Sequence, residues 1–136
     1  MKVPLETIYD NLNFATDRLS TQIRTLTLGD LALVWLFLSG NKEVPLLKLG
    51  GSTDPLLLIA SLCVITLLID AIQYWAYYYS SKAVRIKAEA AGEEEAEYDE
   101  STFLFRVQMG SFWLKQFTAM LATLWLLVLI FCSVAK

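Results

Sequence analysis

Apolar positions along this chain gather into three long runs, separated by two polar breaks. The clearest lies within 52–80, STDPLLLIASLCVITLLIDAIQYWAYYYS. Residues 55–69 carry no charge, and the apolar or aromatic run continues to Tyr79 with only Asp70 and Gln73 interrupting it. About twenty-five such residues at ~1.5 Å rise make a helix of roughly 37 Å, enough to cross a hydrocarbon core of about 30 Å. A soluble helix keeps a wet face, and this stretch has almost none. The pattern predicts a transmembrane helix over 54–79, opened by Asp54 as N-cap with Pro55 at the first helical position.

A second span is expected over 112–135, cleanest at 117–135 and approached through Phe103, Phe105, Arg106, Phe112 and Trp113. The remaining run, 23–40, is weaker because Gly29 and Asp30 break it and leave 31–38 as the clean part. Asp30 could cap a short helix starting at Leu31, too short to cross alone. The alternative is an unbroken helix with Asp30 near the cytoplasmic boundary. The second reading is preferred, because Ser39-Gly40-Asn41 supplies a stop after a full-length span.

Residues 4–26 show a helical period. Leu5, Ile8, Leu12, Ala15, Leu19, Gln22 and Leu26 are spaced 3-4-3-4-3-4, a heptad seam with one polar position at Gln22. Glu6, Asp10, Asp17, Arg18 and Arg24 fall off it. Such a stripe either packs on the protein's own helices or the lipid interface, or builds a self-associated bundle in which Gln22 sets register. The fold class expected is an all-α membrane protein: one membrane domain with three transmembrane helices, preceded by a cytoplasmic amphipathic helix continuous with the first span.

The loop 41–54, NKEVPLLKLGGSTD, turns at Gly50-Gly51, with 44–49 dipping to the interface or forming a small hairpin. Helix two leaves the membrane through Tyr74, Trp75, Tyr77, Tyr78 and Tyr79, an interfacial aromatic belt. Residues 80–105 form a cytoplasmic segment whose acidic stretch 88–101 reads as a solvated helical extension or a linker. Eight basic residues (Lys2, Arg18, Arg24, Lys82, Arg85, Lys87, Arg106, Lys115) fall on one side; Lys42, Lys48 and Lys136 fall on the other. The positive-inside bias puts the N-terminus and 80–116 in the cytoplasm and the 41–54 loop and the C-terminus outside.

Composition agrees. The chain has 136 residues, 56% hydrophobic, and a mean hydropathy of +0.49, ordinary for a multi-pass membrane protein. The net charge of −3 comes mainly from the acidic run. The first twenty residues hold no apolar h-region, so insertion through the internal spans is expected. Cys63 and Cys132 lie inside apolar runs and read as packing residues. Without histidine, an exposed cysteine nucleophile, a phosphate-cradling glycine loop or metal-ligand spacing, neither an enzyme nor a metal or cofactor site is expected.

Ionisable groups at membrane depth carry what chemistry there is. Asp70 and Lys115 differ by roughly 7 Å in depth on the helical rise, within reach of a snorkelling lysine. They form a structural pair or two hydrated groups; alternatively Asp70, Gln73, Lys115 and Gln116 make a polar seam beside a water path. Should the first helix line an oligomer axis, Gln22, Thr25, Gly29, Leu33 and Leu36 approach the centre with Asp30 flanking it. Asp30 would then form a carboxylate ring, and Leu33 with Leu36 an apolar constriction that gates by dewetting; Asp30 as an interfacial cap is the alternative. Arg18 and Arg24 would make cationic rings suited to an anionic regulator, or simply satisfy the positive-inside rule.

In layout only, the chain resembles the small multi-pass effectors of bacterial anti-phage defence: a short cytoplasmic amphipathic helix, a few spans and no catalytic residues. The resemblance implies a membrane component that oligomerises and permeabilises the inner membrane under control of a regulatory protein or a nucleotide or oligonucleotide ligand. The function expected is a homo-oligomeric channel or pore-forming effector partnered with membrane lipid. A non-catalytic accessory subunit of a larger membrane complex is the alternative, and a small-solute transporter a third.

Overall fold

The computed structural model describes residues 5–39, 54–92 and 101–134, and among these every regular element is an α-helix. Helix α1 spans Leu5–Leu38, α2 Asp54–Ala91 and α3 Phe103–Val134. They pack up-down-up, with α2 and α3 in the most extensive contact and α1 laid against both. The loop 41–53, with its expected turn or hairpin, and the acidic stretch 93–100 lie outside the described residues.

Helix α1 runs without a break through Gly29 and Asp30, so Asp30 caps nothing. The other two helices are longer than their apolar runs. Helix α2 continues twelve residues past Tyr79, where good helix formers and an Arg85–Glu89 pair (2.7 Å, i,i+4) sustain it. It stops at Gly92, whose left-handed backbone (φ 68°) lets the chain turn off. Helix α3 starts nine residues before the expected 112, because a helix that leaves a membrane loses no hydrogen bonds by continuing into water.

At the end where α1 finishes and α2 begins, Val34, Leu56, Ile59, Cys63, Ala122 and Leu126 form a closed apolar cluster. The small residues Cys63, Ala76, Ala119 and Ala122 face inward and are essentially fully buried, which lets α2 and α3 approach closely.

The outside of the bundle is the greasier surface. Leu58, Ile65, Leu68, Leu124, Val128 and Phe131 are exposed, and only 28% and 22% of the most apolar stretches of α2 and α3 are buried. A soluble core helix would have these fractions reversed, and a monomer in water does not sustain so large an apolar surface. Two helices, α2 and α3, are therefore long and apolar enough to cross a membrane and carry an outer surface suited to lipid. Helix α1, interrupted by Arg24 and Asp30, is not one of the two, so the expected third span does not rest on its composition. Exposed hydroxyls such as Thr25 and Ser61 donate to carbonyls four residues back, so they are satisfied within their own helices.

Ala122→Leu, which forces a larger side chain into the closed cluster, is expected to cost about 1–3 kcal/mol. Leu124→Ala on the outer surface should stay within about 0.5 kcal/mol. Reversible unfolding in mixed micelles compares the two, and equal costs would contradict the inside–outside assignment.

Candidate functional site

The interior of the bundle is polar from its middle to one end. Ser20, Thr27, Asp30, Thr66, Asp70, Ser80 and Lys115 are all buried. The inward positions of α1, namely Ser20, Ile23, Thr27, Asp30 and Val34, repeat at 3-4-3-4 spacing and make a second seam beside the predicted one. Each inward position follows a position of the predicted seam by one residue, which sets the two seams about 100° apart.

Asp70 on α2 is the centre. Lys115 of α3, wholly buried, donates to Asp70 Oδ1 at 2.5 Å and to Ser20 Oγ of α1 at 3.0 Å. Arg24 of α1 takes the other oxygen, with Nε 2.9 Å and Nη2 2.8 Å from Oδ2. Both cations also lie over the Tyr74 ring, at 5.2 Å for Arg24 and 5.8 Å for Lys115, while Phe112 sits 5.9 Å from the lysine nitrogen. Each helix thus contributes at least one charged group to a single network, and one carboxylate serves two cations.

Two further rungs lie deeper. The hydroxyls of Thr66 and Thr118 meet at 2.7 Å, and Thr123 Oγ1 donates to Asp30 Oδ2 at 2.6 Å. Beyond Asp30 the apolar cluster closes the bundle. The column is therefore blind at that end. At its other end it reaches a groove of about 620 Å³, walled by all three helices and including Ser20, Gln73 and Tyr74. Gln73 Oε1 and Gln116 Nε2 are buried and have no hydrogen-bond partner among the described residues.

The expected residues divide by location. Asp70 and Lys115 are in direct contact; Gln73 and Gln116 border them without joining the network. Gln22, Thr25, Gly29, Leu33 and Leu36 all stay exposed on the face of α1 turned away from α2 and α3. Asp30 is not with them: expected to flank a shared axis, it is 5% exposed and turned into the bundle toward Thr123. A carboxylate turned into the bundle toward Thr123 does not face an axis along the exposed seam of α1. Arg24, expected to offer its charge to an anionic regulator, is engaged with Asp70. Arg18 remains exposed, its guanidinium over the Phe14 ring at 5.4 Å.

Ser20, Tyr74, Thr66, Thr118 and Thr123 had no separate signal in the reading by charge and heptad. Only Ser20 among them leaves a trace, in the 20-23-27-30-34 spacing, where serine, threonine and aspartate recur inside a helix that otherwise reads by its leucines.

Asp70→Asn leaves Lys115 buried without a counter-charge, and loss of about 3–5 kcal/mol is expected. The double variant Asp70→Leu/Lys115→Met should recover most of that loss, since Arg24 is partly exposed and can turn to water or headgroups. A double-mutant cycle by unfolding in micelles checks this; additive losses would show that the pair is not coupled.

No protein-family model matches the chain, and no curated protein and no solved structure matches it either.

Proposed function

We propose that this chain is a non-enzymatic membrane protein of the bacterial inner membrane that self-associates along α1 into an ion-conducting pore. One observation carries the reading. Of the seam predicted over 5–26, Leu12, Ala15, Gln22 and Leu26 are exposed and Leu19 is half-buried, while the side chains of Leu5 and Ile8 lie outside the described residues. The same 3-4 repeat continues without a break through Gly29, Leu33 and Leu36, also exposed. A helix that buries one seam and leaves a second, heptad-spaced one bare is suited to a further helix at that face.

The third span follows from packing rather than composition. Arg24 contacts α2 at Asp70, Asp30 contacts α3 at Thr123, and Val34 clusters with Leu56, Ile59, Ala122 and Leu126. Helix α1 from 24 to 38 therefore lies alongside the apolar lengths of α2 and α3, which supports reading it as a third crossing. The excess of basic residues at the N-terminal end of α1 and around 82–115 orients that end to the cytoplasm.

A single bundle provides no through-path, since its polar column is closed by the apolar cluster. Conduction runs instead along the axis of several α1 helices, with Gln22 and Thr25 at the mouth and Leu33 and Leu36 as the constriction. Asp30 has no part in it. The layout shared with anti-phage effectors fits this reading. An accessory role in a hetero-complex uses the same bare seam, with a helix of another protein in place of a second copy.

In a Cys132→Ser background, Leu26→Cys and Leu36→Cys should cross-link between copies in the membrane, while Ile23→Cys should not. A uniform oligomeric mass in mild detergent and loss of membrane potential on induction are expected with them, and Leu33→Ser should raise the single-channel current. A monomer with no seam cross-links removes the pore and leaves the accessory reading.

A further inference from the structure

The open end of the polar column is built for a ligand of a definite charge pattern. The floor of the 620 Å³ groove is Ser20, Gln73 and Tyr74, and its walls rise toward the N-terminal end of α1 past Asp17, Tyr77 and Phe105. Behind the floor, Arg24 and Lys115 share the single carboxylate of Asp70, so that network holds one positive charge in excess. Asp30 does not cancel it locally: it lies six residues deeper on α1, about 9 Å by helical rise, and faces Thr123. Among the described residues that line the groove none is lysine or arginine, and the one formal charge is Asp17, a turn outward from Ser20 at about 4.5 Å of rise, which makes no ion pair among the described residues.

Two unspent hydrogen-bonding groups sharpen the pattern. Ser20 is 3% exposed, and its oxygen accepts from Lys115, which leaves its own proton to donate. Gln73 Oε1 is a buried acceptor without a donor. A floor with excess positive charge and a free donor disfavours a simple cation. A rim carboxylate flanked by aromatic faces disfavours a simple anion.

We infer that this groove binds a zwitterion in which two carbons separate a phosphate-type anion from a primary ammonium: phosphoethanolamine chemistry, available from a lipid headgroup or as the free ester. The anion rests on the floor, taking the Ser20 proton in the field of Arg24 and Lys115. The ammonium lies outward at Asp17, against the faces of Tyr77 and Phe105. Charge separation in the ligand matches the one-turn offset between Ser20 and Asp17.

The test uses the full chain in phosphatidylcholine nanodiscs, doped with phosphatidylethanolamine or phosphatidylglycerol, with retained lipid read by native mass spectrometry. Phosphatidylethanolamine should be retained about tenfold over phosphatidylglycerol, the worth of one charge-assisted contact. Asp17→Asn, at the exposed rim, should bring that ratio near unity without changing the thermal midpoint in phosphatidylcholine alone. Free O-phosphoethanolamine is then added. If it protects the chain in discs lacking phosphatidylethanolamine, the ligand comes from the soluble pool; if only the lipid is retained selectively, the headgroup is the ligand. Equal retention of all three lipids with no protection by the free ester overturns the assignment, as does a preference that Asp17→Asn leaves intact. Neither readout depends on conduction or oligomeric mass, so the groove and the pore stand or fall separately.

Discussion

One carboxylate holds this bundle in register. Asp70 receives a lysine from α3 and an arginine from α1, and the lysine is tied in turn to Ser20 of α1. In lipid there is no hydrophobic drive between helices, since the tails are as apolar as leucine, so packing and polar contacts decide how they associate. A charge-assisted network reached by all three helices is directional, and a slip of one turn in any of them breaks it. Asp70–Lys115 is fully desolvated on the lysine side, so its value lies in specifying one arrangement as much as in stability.

The rest of the molecule is arranged around that constraint. Polar groups pair inward in rungs: Ser20 with Lys115, Thr66 with Thr118, Asp30 with Thr123. Apolar side chains face outward, with Trp35 and Phe131 almost three-quarters exposed. The closed end reverses this order, where Val34, Leu56, Ile59, Cys63, Ala122 and Leu126 meet. The polar column therefore has one open end, and the groove there inherits the unbalanced charge of the network beneath it.

Helix α1 carries two seams on two faces. Its inner seam holds the groups that find α2 and α3; on its outer seam Gln22, Leu26, Gly29, Leu33 and Leu36 stay exposed among the described residues. The proposed pore and the proposed zwitterion site draw on opposite sides of this helix. Asp30 marks the boundary between them: a residue that belongs to the outer seam by proximity in sequence belongs to the inner one by rotation.

Much of this was readable before any coordinates. An uncharged run of fifteen residues followed by an aromatic belt leaves a helix in lipid as the satisfactory state for its backbone, so the helical class and the two apolar spans follow from composition and length alone. Asp70 and Lys115 stood out for the same reason, since a charge at membrane depth needs a partner. What the linear pattern left open was azimuth. A 3-4 repeat places residues on one face but does not say which of two adjacent seams meets the neighbouring helices, and α1 carries both. Tertiary packing chose the seam with serine, threonine and aspartate, because hydroxyls and carboxylates gain partners inside and would gain none in lipid. That choice put Asp30 against Thr123, committed Arg24 to Asp70, and left the leucine seam bare.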